Sequence, residues 1–143
     1  MSLNSSQFKA YLAGFLDGDG SIYVRAKPNN SYRFGYQIAS YVAFFQSSSC
    51  KSFPDLCEKV GYGKIRLRKD GIYEFTISKQ GEVKDFLLKV GPYLELKQEQ
   101  CKLMLEILEK KKIVKDSIDF QKLLKRIDTF RDLNYSKKRK RRV

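Results

Sequence analysis

The strongest constraint on this chain is a spacing. Ala10, Gly14 and Gly18 recur at every fourth position, so on a helix they line one face with almost no side chain. Glycine inside a helix costs about 1 kcal/mol relative to alanine, so two of them within two turns ask for a compensating contact. A face this bare lets another backbone come close. The expected occupant is a second copy of the same helix, because the stretch occurs once and has no internal repeat. Ala10, Ala13, Gly14 and Asp17 are the expected seam residues. The helix ends in Asp17-Gly18-Asp19-Gly20. Asp19 would stand beside its symmetry mate, where two carboxylates and two negative helix ends repel. A divalent cation relieves that repulsion, and hard oxygen donors suit Mg²⁺. Taken as isolated Asp-Gly pairs, the same residues read only as a polar helix stop and turn.

Composition narrows the chemistry. The chain has no histidine. That excludes Ser-His-Asp and Cys-His nucleophiles, histidine bases and His-ligated metals. Any hydrolysis must run on carboxylates, a metal, lysine and water. Cys50, Cys57 and Cys101 lack C-x-x-C spacing and read as free thiols in a reducing compartment, not as a zinc site. No run reaches the roughly 18 apolar residues of a membrane span, so no membrane partner is expected. No basic-then-apolar leader begins the chain. The expected location is intracellular, in a prokaryotic cytoplasm or an organelle such as a chloroplast or mitochondrion. The net charge of +13, from 29 Lys+Arg against 16 Asp+Glu, calls for a polyanionic partner rather than a small-molecule cofactor.

Read in order, the chain alternates helices with hairpins. Ser5 or Ser6 caps a first helix over about 7–16, with Phe8, Tyr11, Leu12 and Phe15 as its apolar stripe. Residues 21–27 alternate: Ile22, Val24 and Ala26 face inward, and Tyr23, Arg25 and Lys27 face outward. A turn at 28–31 leads to a long strand over 32–46. There Phe34, Tyr36, Ile38, Val42 and Phe44 share one face, and Arg33, Gln37, Ala39, Tyr41, Ala43 and Phe45 the other. A short helix follows over about 53–60. A second hairpin has the same design, with Lys64, Arg66 and Arg68 outside and Ile65 and Leu67 inside, then Glu74 and Thr76 outside and Tyr73, Phe75 and Ile77 inside. Helices over 80–90, 97–112 and from a cap at Asp116 or Ser117 to Leu133 complete the domain, which spans 1–135. A basic tail occupies 136–143. The expected fold is α+β, of αββαββα type: a four-stranded antiparallel sheet with helices on one face and an open, basic face.

That open face suits duplex DNA. A twisted two-stranded ribbon fits the major groove. Arg25, Arg66 and Arg68 have the geometry to read guanine, Gln37 adenine, and Glu74 the cytosine amino group. Lys27 and Lys64 could reach a base or a phosphate. The same face could instead bind single-stranded RNA by stacking on Tyr23, Tyr41 and Phe45, although no Gly-Phe/Tyr-Gly-Phe-Val-x-Phe strand is present.

Leu12 to Gly20, with Phe15, Leu16 and Gly18 as its variant letters, resembles the LAGLIDADG motif of homing endonucleases, in particular their single-motif homodimeric group. Lys27-Pro28-Asn29-x-Ser31-Tyr32 resembles that group's first hairpin turn, which adds Asn29, Tyr32 and the adjacent Arg33 to the DNA-contacting set, with Thr76 beside Glu74. Gln37 and Gln46 match its second strand, and Pro92-Tyr93-Leu94-x-Leu96-Lys97-Gln98 its active-site lysine segment. Leu133-Asn134-x-Ser136-Lys137 resembles its DNA-backbone loop, with Lys137, Arg139 and Lys140 as phosphate contacts. The resemblance implies an intron-encoded enzyme that cuts both strands of a long pseudo-palindromic duplex site as a homodimer. It implies metal binding by Asp19 and the Gly18 carbonyl, and catalysis by Asp19, Gln46 and Lys97. Mg²⁺ is the expected ion, with Mn²⁺ as a substitute and Ca²⁺ supporting binding with little cleavage. A non-cleaving intron maturase or regulator on the same scaffold is the alternative. One departure stands out: the family's basic residue after the active-site glutamine falls at Cys50, with Lys51 next to it as the candidate replacement.

Overall fold

The computed structural model describes residues 2–134. The expected phosphate contacts Lys137, Arg139 and Lys140, and the expected boundary between domain and tail, lie outside the described residues. Helix α1 (Ser6–Asp19) begins at Ser5, whose Oγ accepts the Phe8 N–H at 3.3 Å. Phe8, Leu12, Ala13 and Leu16 are its buried residues. The inward stripe is therefore rotated from the expected one. Tyr11 is 56% exposed and Phe15 only half-buried. Ala13, expected at a seam, lies one step round from Leu16 and is wholly buried in the chain's own core.

Strand β1 (Gly20–Pro28) follows α1 with no intervening loop. Space, not backbone conformation, demands glycine at position 20. Its φ is −99°, yet an added Cβ would stand 2.9 Å from the Leu16 Cα and 3.0 Å from the Ala43 carbonyl oxygen. Strand β2 (Tyr36–Ser47) starts later than the apolar alternation suggests. Residues 29–35 form a turn instead, because local hydrogen bonds compete with the ladder. The Asn29 N–H donates to the Gly35 carbonyl at 2.8 Å, and Gly35 closes the turn at φ 82°. The Asn29 Oδ1 accepts both the N–H and the hydroxyl of Ser31, at 3.0 and 2.6 Å.

Beyond α2 (Phe53–Glu58) come β3 (Lys64–Leu67) and β4 (Ile72–Ile77), then α3 (Gln80–Val90), a 3₁₀ turn (Gly91–Tyr93), α4 (Gln98–Lys112) and α5 (Ser117–Leu133). Asp116 caps α5, its Oδ1 accepting the Asp119 N–H at 2.8 Å. The sheet is antiparallel throughout, in the order β1-β2-β4-β3. Its inner rows are apolar: Ile22, Val42 and Ile77 are in register, as are Phe44 and Phe75. These rows pack under α1, α3, α4 and α5. Ser40 interrupts the inner face of β2; it is buried, and its hydroxyl has no partner among the described residues. The expectation that Ile65 and Leu67 would be buried does not hold. β3 is the sheet edge, all four of its residues are exposed, and Leu67 keeps 57% of its surface.

Outside the sheet, Arg126 grips Glu106 with two hydrogen bonds, at 2.6 and 2.9 Å, and so ties α5 to α4. The Arg126 guanidinium, helped by Lys110, holds the Glu106 carboxyl below its ordinary range. A lowered acid pKa contributes stability above the unfolded carboxylate range, and the contribution disappears as pH falls through the folded value. Both side chains are more than a third exposed, so the pair contributes no more than about 1 kcal/mol. Glu106→Gln is expected to unfold at lower urea than the parent at neutral pH and to match it in acid below the carboxylate range. Gly20→Ala should cost about 1–3 kcal/mol by overpacking. Gly81→Ala, whose methyl meets nothing within 4 Å, should gain about 0.5–1 kcal/mol in the same titration.

Candidate active site and nucleic-acid face

The end of α1 gathers the expected chemical groups. Asp19 is its last residue and is exposed. Among the described residues nothing donates to its carboxylate or pairs with it. Gln46 is in register with Tyr73, and Tyr73 with Leu67, on the helix-side face of the sheet. Asp19 and Gln46 accordingly line one open groove of about 780 Å³, together with Gly14, Cys50, Asp55 and Lys59. The Gln46 Oε1 accepts the Ser47 N–H at 2.9 Å. Only the oxygen of a carboxamide can accept, so its NH₂ is left to donate.

Lys97 reaches the same helix end from the other side. Its Nζ donates to the Asp17 carbonyl oxygen at 2.9 Å, two residues before Asp19. The Asp17 carboxylate returns the contact: it accepts the Glu95 N–H at 2.8 Å and the Lys97 N–H at 3.0 Å. Asp17, expected at the seam, is thus spent inside its own chain. It satisfies two N–H groups at the start of α4, where Lys97 has no side-chain cap of its own. Its negative charge also suits that helix N-terminus. Cys50 lines the groove, and Lys51 is not among its lining residues. The cation there is Lys59, at the end of α2.

The outward rows of the sheet follow from its register. Lys27 lies across from Gln37, Arg25 from Ala39 and Tyr23 from Tyr41. Ala43, Thr76 and Lys64 make a further row, and Phe45, Glu74 and Arg66 the next. Lys27 Nζ donates to the Tyr41 hydroxyl at 3.2 Å and lies 5.8 Å from its ring centroid. The arginines carry counterions: Arg66 pairs with Glu74 at 3.0 Å and Arg68 with Asp70 at 2.7 Å. Asn29 and Tyr32 stand in the turn of the first hairpin. Arg33 leaves the open face: its guanidinium lies 4.8 Å from the Phe34 ring, and its Nη2 donates to the Lys115 carbonyl at 2.9 Å.

A family model for LAGLIDADG endonucleases matches residues 12–95. DNA endonuclease I-CreI of Chlamydomonas reinhardtii is 37% identical over 138 residues, which cover 95% of this chain and 84% of that protein. The chain belongs to the LAGLIDADG endonuclease family. DNA endonuclease I-CvuI of Chlorella vulgaris is 36% identical over 75% of this chain and 67% of that protein. A crystal structure of I-CvuI, bound to the I-CreI target with 2 mM Mg and its DNA not cleaved, superposes with a TM-score of 0.85 at 30% identity. That match covers 94% of this chain and 86% of the other. A second I-CvuI structure, with its own target and 2 mM Ca, has a TM-score of 0.81 at 32% identity, over 89% of this chain and 82% of the other.

In this LAGLIDADG chain the donors suit a hard divalent ion but do not complete a site. Asp19 supplies a carboxylate and Gly18 a carbonyl at a helix C-terminus, both oxygen ligands. Among the described residues no three acidic, cysteine or histidine side chains converge. The sequence missed one residue of this region, Lys59, the cation that lines the groove from the end of α2.

The Asp17 contacts make a direct prediction. Asp17→Ala strands two backbone donors and removes the anchor of the Lys97 segment. It should cost about 1–3 kcal/mol in urea unfolding. Asp17→Asn, which keeps one acceptor, should cost less.

Proposed function

We propose that this endonuclease cuts both strands of a specific, long, pseudo-palindromic duplex as a homodimer with divalent metal ions. The carrying observation is that Asp19 and Gln46 share one groove at the end of a helix whose outer face is bare, while the Lys97 ammonium lies against the Asp17 carbonyl near the same helix end. Gly14 and Gly18 each have nothing within 4 Å of an added Cβ. A second α1 can therefore approach along Ala10, Gly14 and Gly18. The approach would bring two Asp19 carboxylates together, so that the pair of chains supplies what one lacks.

The residues then divide the work. Asp19 and the Gly18 carbonyl would hold metal ions, which neutralise phosphate charge and lower the pKa of a bound water when present. The Gln46 NH₂, left to donate beside the groove, would hold a water or a phosphate oxygen in line. The Lys97 ammonium is held near the helix end as a point charge for the anionic transition state. The outward sheet rows read the major groove through Arg25, Gln37, Arg66 and Glu74, with Tyr23, Tyr41, Lys27, Lys64, Arg68 and Thr76 around them. The complexes of I-CvuI with target DNA support duplex DNA as the ligand.

Asp19→Asn tests the chemistry. It keeps the shape and weakens a metal ligand. On a duplex selected by the parent protein, cleavage in Mg²⁺ should be lost while gel-shift affinity stays or improves. Removing the metal with chelator should do the same to the parent, and Ca²⁺ should support binding with little cutting. Parental cleavage rates from the asparagine variant would take Asp19 out of the site. A parent that binds tightly but never cuts would make the protein a binder on this scaffold.

A further inference from the structure

The first hairpin carries a contact that the chemistry does not use. Phe34 stacks on Phe120 of α5, with centroids 4.9 Å apart and rings 21° from parallel. Tyr36 adds a second ring, 6.1 Å from Phe120 at 28°. Arg33 completes the assembly: its guanidinium covers Phe34 and its Nη2 holds the Lys115 carbonyl just before α5. The turn at 29–35 is thus tied at its return end to the helical layer.

The position of that turn gives the tie its meaning. β1 runs for nine residues directly from Asp19 to the turn. At about 3.3 Å per residue that is roughly 30 Å, or about nine base pairs along a duplex at 3.4 Å per pair. A hairpin is a weak lever at such length, since an isolated two-stranded ribbon is marginally stable. Here the outer end lies beyond the last β2–β4 pairing, which begins at Val42. Only contacts from the helical layer can hold it.

We propose that Phe120 is a positioning residue for DNA specificity. Without touching DNA, it sets where Asn29 and Tyr32 stand, and so fixes base preference at the outer ends of the recognised site. The inference rests on the proposed reading of DNA by the open sheet face.

The test uses the full chain and a target selected by the parent from a randomised duplex library, with every base pair then varied singly. Phe120→Leu keeps an apolar core residue and removes the stack. Preference at the outermost pairs should fall by about threefold or more, part of the roughly tenfold that one mismatched pair can cost. Inner-pair preference and the single-turnover cleavage rate on the best target should stay at parental values. Phe120→Tyr keeps the ring and should restore the outer preference. Arg33→Ala lies on the surface and cannot empty the core; it should flatten the same outer pairs. A uniform loss of affinity with a shallower salt dependence would instead make Arg33 a phosphate contact and break the assembly as described. Asn29→Ala and Tyr32→Ala serve as the reference. If they change outer preference and Phe120→Leu does not, the positioning role is overturned. If none of the four changes it, the sheet face does not read those pairs, and the proposed function fails with the inference.

Discussion

Everything at the working end of this molecule depends on the absence of a side chain at Gly20. The helix and the first strand meet there without a loop, so the helix axis and the sheet are locked at one point. Leu16 is fully buried immediately before it, and the Ala43 carbonyl presses from the neighbouring strand. A Cβ there would force one of them to move. The junction places Asp19 at the rim of the groove and Gln46 on the same side of the sheet. The Asp17 carboxylate then pins the α4 segment against the same helix end. Segments distant in sequence thus meet at the last turn of α1, Gln46 across the groove and the stretch before α4 through the Asp17 carboxylate.

The open face faces a different problem. A cluster of cations on a sheet repels itself before any ligand arrives. Two of the guanidinium groups are relieved by acids on the same hairpin, Glu74 and Asp70. These pairs are exposed and contribute little to stability. Their effect is on geometry and selectivity. An arginine held by a carboxylate is aimed before contact, and binding must exchange or share that carboxylate. A duplex that offers guanine can make up for the exchange with a bidentate contact, whereas phosphate alone makes it up less well.

The layout was readable wherever periodicity matched burial. The αββαββα order and α3 from Gln80 to Val90 follow from pattern and breakers alone, and each cap narrows to two neighbours, of which Ser5 and Asp116 serve. Gln46 is picked out by resemblance alone; its register with Tyr73 is what puts it on the inward face. The misses share a cause: local pattern carries no record of what lies across from it. Ile65 and Leu67 alternate as a buried strand would, but only topology makes β3 an edge. Tyr11 and Ala13 exchange places because the buried stripe of α1 runs through Phe8, Leu12, Ala13 and Leu16. Asp17 sits in the signature beside Asp19, yet its partners come from about eighty residues away and no spacing rule finds them. Arg33 reads as one more basic residue of the face, until Phe34 and Lys115 show where it goes.

One helix thus carries two requirements that a single chain cannot meet alone. Its outer face is too bare to be left in water without cost, and its end has too few ligands to hold a metal. On the proposed reading both are met by the same event, the approach of a second α1. Coupling them has a consequence for fidelity. Each chain has a complete reading face but half of a chemical centre, so a single chain on a stray half-site can bind and cannot cut. Cleavage then requires two reading faces in register on one duplex, and specificity for cutting exceeds specificity for binding without any further contact to the bases.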